Sequence, residues 1–166
     1  MKKFELTSET KINIFGKKLF RIKALISFAD VEAGETGGWV EKEGNVNQSG
    51  NAWVSGNAEV SGDAMVYGNA KVSGDAMVSG NAKVYGDAKV YGDADYTTIH
   101  GFGTQFRTTT FFRCKDKKVR VACGCFFGTI PEFREQVKKT RSGKIVEEYL
   151  MIADLMEKHF EVKSNE

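Results

Sequence analysis

Histidine is scarce in this chain: there are two in 166 residues, His100 and His159. A zinc site built from three histidines is therefore excluded. Cysteine is also sparse. Cys114, Cys123 and Cys125 are an odd number crowded into one region, which does not make a disulfide framework. They read as buried or half-buried thiols in a reducing compartment, so a cytoplasmic location is expected. As metal ligands they are poorly spaced, because Cys123 and Cys125 have one residue between them instead of two to four. No metal and no cofactor is expected. No apolar run reaches the length of a membrane span, and "MKKFELTSETKINIF" has a basic start without an uninterrupted apolar stretch, so neither a membrane partner nor a secretory signal is expected. The net charge is +2, too small for the whole molecule to prefer one kind of partner. A Gly-x-Ser-x-Gly elbow and a P-loop are missing, and "GFGTQF" at 101–106 lacks the third glycine of a dinucleotide fingerprint.

What the chain has in abundance is one phrase. Hexads start at Gly44, Gly50, Gly56, Gly62, Gly68, Gly74, Gly80, Gly86 and Gly92, and most read Gly, Asn or Asp, Ala, any residue, Val, then Ser or Tyr. Repetition at a fixed period means a solenoid. Ala and Val lie two residues apart, as at Ala70/Val72, so both face one side of a short strand. The Gly-Asn or Gly-Asp pair then bends the chain.

A strand turned every six residues resembles the left-handed parallel β-helix of hexapeptide-repeat proteins, in which three hexads make one triangular coil. The resemblance implies about three coils, a prism only ~15 Å tall with two open ends to cover. Residues eighteen apart should then stack: Tyr67 beside Tyr85, and Trp53, Lys71 and Lys89 as an outer column with Lys71 on the indole face. The corner residues give the columns Asn45–Asp63–Asn81 and Asn57–Asp75–Asp93, read as turn formers more than as a ligand ladder.

The fold expected is mainly β, in three parts. Residues 1–43 form an N-terminal β cap, with strands "KINIF" and "LFRIKAL" around Gly16-Lys17-Lys18 and with Trp39 and Val40 as apolar plugs. Residues 44–97 are the hexapeptide-repeat β-helix. Residues 98–166 hold a β-hairpin, "QFRTTTFFR" and "KVRVAC" joined by "CKDKK", and two helices. Thr129 and Glu132 make a capping box before the first helix. Val146, Tyr149, Leu150, Ala153, Met156 and Phe160 form the apolar face of the second.

Charge concentrates in the last part. Between 98 and 145 eleven basic side chains face three acidic ones. One hairpin face carries Arg107, Thr109, Phe111 and Arg113, joined by Lys118 and Arg120, while Val119, Val121 and Cys123 turn to the core. Basic groups beside hydroxyls and an aromatic suit phosphate or nucleic acid. These six residues are the expected contacts, with Tyr67 and Tyr85 as a second surface.

"GKKLFRIKAL", "GETGGWVE", the run of hexads and "CGCFFGT" together resemble a group of small phage and prophage proteins of Gram-positive and gut bacteria, some named polymer-forming cytoskeletal proteins. The resemblance implies a mobile-element context. By analogy with small proteins from such elements, it implies a non-catalytic inhibitor of a host defence system, CRISPR effectors included. The partner expected is a host protein or ribonucleoprotein, with nucleic acid or a nucleotide as the other ligand of the 98–145 segment. Two alternatives stand: a self-assembling β-helix (dimer, trimer or filament), and a hexapeptide-repeat acyltransferase. The latter resemblance implies a catalytic histidine in the coils, and only His100, after the last hexad, is near.

Overall fold

A computed structural model of the protein describes residues 1–161, the Asp93 side chain excepted. By packing, the chain forms two compact units, Met1–Asp93 and Ala94–Glu166.

The first unit begins with three antiparallel strands, β1 (Phe4–Ile12), β2 (Lys18–Ala24) and β3 (Thr36–Val40). Seven two-residue strands follow: β4 (Trp53–Val54), β5 (Glu59–Val60), β6 (Met65–Val66), β7 (Lys71–Val72), β8 (Met77–Val78), β9 (Lys83–Val84) and β10 (Lys89–Val90). Each of β4 to β7 pairs in parallel with the strand three hexads on, and β3 pairs in parallel with β5, giving the ladders β4-β7-β10, β6-β9 and β3-β5-β8. Ala52, Ala58, Ala64, Ala70, Ala76, Ala82 and Ala88 are fully buried, and so, within 1% exposure, is every valine of the strands β4–β10. The Ala-x-Val spacing thus does what period two requires: alternate residues enter one core. Burying each valine favours folding by about 1.5–3 kcal/mol.

Stacking follows the eighteen-residue register. The rings of Tyr67 and Tyr85 lie parallel with centroids 4.6 Å apart. Trp53, Lys71 and Lys89 are register neighbours, but Trp53 is not an outer residue. It is 3% exposed, with the edges of Phe4 and Phe28 against it, and Lys71 forms an ion pair with Asp30.

The unit at Gly44 departs from the repeat. Val46 pairs with Val66 and Val40 with Val60, twenty residues on, before the eighteen-residue register sets in at Trp53. Asn45 is consequently no corner residue above Asp63. It is fully buried and donates to the carbonyls of Gly62 and Ala64 at 3.1 and 2.9 Å, while Asp63 pairs with Lys42. The amide ladder forms elsewhere, from Asn51 to Asn69 to Asp87 at 3.0 and 3.1 Å. Asn57 donates to Asp75 at 3.2 Å; the Asp93 side chain of that column lies outside the described residues.

The cap is built as a sheet, with Trp39 and Val40 buried. Because β3 pairs with both β2 and β5, β1 and β2 extend a sheet of the repeat. Residues 13–15, expected as strand, belong with Gly16 and Lys17 to a turn pinned by Asn13, whose side chain accepts from the N–H groups of Phe15 and Lys17. It leaves Ile12, Ile14 and Phe15 exposed. Lys3 is 2% exposed and donates to the Ala52 carbonyl at 2.7 Å, with its ammonium over the Phe28 ring.

In the second unit the expected hairpin is the middle of a four-stranded antiparallel sheet: β11 (Tyr96–Phe102), β12 (Arg107–Arg113), β13 (Val119–Cys123) and β14 (Phe126–Thr129). Two helices complete it, α1 (Ile130–Thr140) and α2 (Lys144–His159). Thr129 caps α1 in a reciprocal box with Glu132. From α2, Tyr149, Ile152, Ala153 and Met156, with Phe160 just beyond, pack on Phe111, Val119, Val121 and the α1 residues Phe133 and Val137. No helix among the described residues is long and apolar enough to cross a membrane.

Burial holds the Lys3 ammonium well below the ordinary lysine value of 10.5, at about 8. Between these two values the unfolded chain keeps a proton that the folded chain has released, so stability rises with pH across that window. Urea unfolding from pH 7.5 to 10.5 should show this rise, and Lys3→Met should lack it; equal pH slopes would contradict the assignment.

Candidate functional site

The expected contact face does not exist as one surface. Across β12 and β13, Thr109 lies opposite Cys123, Phe111 opposite Val121 and Arg113 opposite Val119. Directly paired residues share a face. Thr109, Phe111 and Arg113 therefore point with Val119, Val121 and Cys123 toward the helices, and Lys118 and Arg120 belong to the opposite face. Phe111 is fully buried and Thr109 is 2% exposed. The β12–β13 turn sets this register: the Cys114 N–H donates to the Lys118 carbonyl, and Lys117 takes a positive φ of 63°.

The basic residues also differ in what they meet. Arg113 donates to Asp95 and to the Phe160 carbonyl, and Arg120 to Asp116 at 2.7 Å. Arg134, on α1, bridges Asp154 and Glu157 of α2. In the first unit Arg21 donates to the Gly56 carbonyl and lies on Trp39. These are four of the six arginines in the chain. The other two, Arg107 and Arg141, have no acidic partner among the described residues, and both line one cavity of about 310 Å³ in the second unit.

That cavity is assembled from ends. The β11–β12 turn supplies Phe102, Thr104, Gln105 and Arg107; the β13–β14 turn supplies Cys123, Gly124, Cys125 and Phe126. The last turns of α1 supply Gln136, Val137, Thr140 and Arg141, and Phe133 and Tyr149 form the inner wall. Two glycines at positive φ let side chains close in. A Cβ on Gly124 would stand 2.5 Å from Arg107 Nη1, and one on Gly103 would stand 2.5 Å from the Tyr149 hydroxyl. Arg107 thus lies across one turn and Tyr149 under the other.

Beneath the two guanidinium groups is a neutral polar layer. Thr109 donates to Cys123 Sγ at 3.1 Å, and Tyr149 donates to the Phe102 carbonyl at 3.3 Å. Burial and the neighbouring Cys123 push the Tyr149 hydroxyl up to about 12, so it stays a neutral donor at physiological pH. Arg141 acts the other way on Tyr149, which places its charge close to that hydroxyl. The arrangement offers positive charge at the mouth, aromatic walls and neutral hydroxyls inside. Among the described residues no three His, Cys, Asp or Glu side chains gather as a metal-ligand set.

Of the residues singled out from sequence, Arg107 is brought to this cavity, with Thr109 just below it. Arg113, Lys118, Arg120 and Phe111 are not, and Tyr67 and Tyr85 stack in the other unit. His100, on β11, is hydrogen-bonded to Thr108 at 2.9 Å. Sequence reading missed Phe102, Gln105, Gln136 and Arg141. The one local signal for them was the Gly-Phe-Gly of 101–103, an apolar residue between two turn formers at the edge of a strand.

A family model described as YdcK beta solenoid repeat matches residues 70–86, within the hexads. No curated protein matches the chain. The matched stretch makes the repeat similar to a β-solenoid and leaves the cavity in the second unit untouched.

Thiol chemistry reports on the site. Cys125 is exposed, Cys123 half-buried and Cys114 buried. A disulfide reagent should modify Cys125 first, Cys123 more slowly, and Cys114 only on unfolding, read by mass spectrometry of digests. Early modification of Cys114 in the native protein would contradict the packing of this unit.

Proposed function

We propose that the protein is a non-catalytic binding protein whose ligand is a small anion held in the cavity of the second unit. The observation that carries this reading is the placement of the arginines: Arg113, Arg120 and Arg134 are held by carboxylates and Arg21 by a carbonyl and a ring, whereas Arg107 and Arg141, with no carboxylate partner among the described residues, line one concavity, Arg141 donating to the adjacent Thr140 carbonyl at 3.4 Å. Guanidinium groups fork onto phosphate or carboxylate oxygens, and such charged hydrogen bonds contribute about 1.5–3 kcal/mol each. A cavity near 310 Å³ is at the small end of ligand sites, which span roughly 300–1,000 Å³.

The repeat unit serves as a rigid frame in this reading, its three parallel ladders being the sides of one short left-handed coil. The resemblance to phage and prophage proteins supports a mobile-element setting. There the protein acts as an inhibitor of a host defence system, by holding a small ligand or by docking on a host protein. Inorganic pyrophosphate is the probe for the anion site. It should bind in calorimetry and slow alkylation of Cys125. The Arg107→Gln/Arg141→Gln double variant should bind roughly 100-fold more weakly, whereas Arg120→Gln should bind as wild type. Unchanged binding by the double variant would overturn the site.

A second reading, self-assembly, is favoured by the pinned β1–β2 turn. Its Ile12, Ile14 and Phe15 are 65%, 80% and 60% exposed, an apolar group that a second chain would cover. Sedimentation at increasing concentration should then show dimers or larger species that Ile14→Ser/Phe15→Ser converts to monomers. A wild-type monomer at every concentration would remove this reading.

A further inference from the structure

We infer that the anion taken by this cavity is a 5′-mononucleotide, its phosphate on Arg107 and Arg141 and its base against Phe102. The inference rests on the anion-site reading above and adds the ligand class.

Three kinds of group in the cavity offer recognition chemistry. The first is the pair of guanidinium groups, whose two positive charges match the double negative charge of a phosphate monoester better than the single charge of a carboxylate. They come from different elements, the start of β12 and the residue after α1, so they approach one phosphate from two sides.

The second is an aromatic ring. Phe126 is tilted against Phe133 with centroids 5.6 Å apart, and Phe133 meets Tyr149 edge-on at 5.6 Å. Phe133 and Tyr149 are committed to the core at 3% and 6% exposure. Phe102 is different. It is 37% exposed, lines the cavity and has no ring partner among the described residues. An exposed phenyl group beside paired cations in a concavity is placed to stack on a flat ring, and one base-aromatic stack is worth roughly tenfold or more in affinity.

The third is a pair of exposed primary amides, Gln105 and Gln136, on opposite rims of the cavity. Each offers a donor and an acceptor side by side, the complement of a heterocycle edge that mixes the two. A plain aromatic carboxylate or an inorganic anion would leave the phenyl or the amides unused. The cavity volume of about 310 Å³ suits a ligand of one nucleotide unit.

The test uses the full-length protein with pyrophosphate, ribose 5-phosphate and the four common ribonucleoside 5′-monophosphates as probes in calorimetry. At least one monophosphate should bind tenfold or more tightly than ribose 5-phosphate. Phe102→Ala, at an exposed position, should bring that monophosphate down to the level of ribose 5-phosphate and leave ribose 5-phosphate unchanged. Arg107→Gln should weaken both. If pyrophosphate and ribose 5-phosphate bind and no monophosphate exceeds them, the nucleotide assignment is wrong while the anion site stands. If no probe binds, or Arg107→Gln weakens none of them, the anion site itself is wrong. Protection of Cys125 from alkylation supplies a second readout on the same samples.

Discussion

The eighteen-residue stacking of small and branched apolar side chains is the constraint on which the first unit depends. An alanine and a valine from each hexad between Gly50 and Gly86 enter one core, and each is nearly or wholly shielded from water. Two-residue strands cannot hold themselves together, so the parallel pairing three hexads on and the core beneath must form at once. The same register puts Asn51 over Asn69 over Asp87 and Tyr67 against Tyr85. Outer residues are therefore ordered by the core beneath them.

A repeat of this kind has edges whose carbonyls and N–H groups lack strand partners, and the sequence before it answers that need. β3 continues one sheet of the repeat, Lys3 reaches the Ala52 carbonyl, and Arg21 reaches that of Gly56. Cations recruited to backbone carbonyls in the first unit, and to carboxylates in the second, are structural. Arg107 and Arg141 line one cavity and have no acidic partner among the described residues.

Much of the first unit was legible in the sequence because its information is local and repeated. Hexad phase gives the inward residues, and phase plus eighteen gives the stacking, as Tyr67 and Tyr85 illustrate. The reading failed where the phase slips. The longer loop between Val46 and Val54 moves Asn45 from a corner into the core; the hexad there has Val46 and Gln48 where the others have alanine and valine, a departure that reading by hexad phase passes over. In the second unit the capping box of Thr129 and Glu132 and the apolar face of α2 were readable, since helix signals are local. The outer strands β11 and β14 were not read: β11 is interrupted by Gly101 and β14 has only four residues, one of them Gly128. The pairing across β12 and β13 was misjudged because it depends on the five-residue turn, where one residue of slip exchanges the faces.

The candidate site was the least legible part for the same physical reason. Its residues come from two sheet turns, a helix end and the middle of α2, and their meeting is a property of the assembled unit. Sequence could show that the region is basic; it could not show which cations would find acids. The most direct measurement is Nε-resolved arginine NMR of the protein during titration with a phosphate monoester. The account predicts that the Arg107 and Arg141 signals shift together and saturably while those of Arg113, Arg120 and Arg134 stay in place. Uniform small shifts of all six arginines, or saturable shifts confined to Arg113 and Arg120, would contradict it.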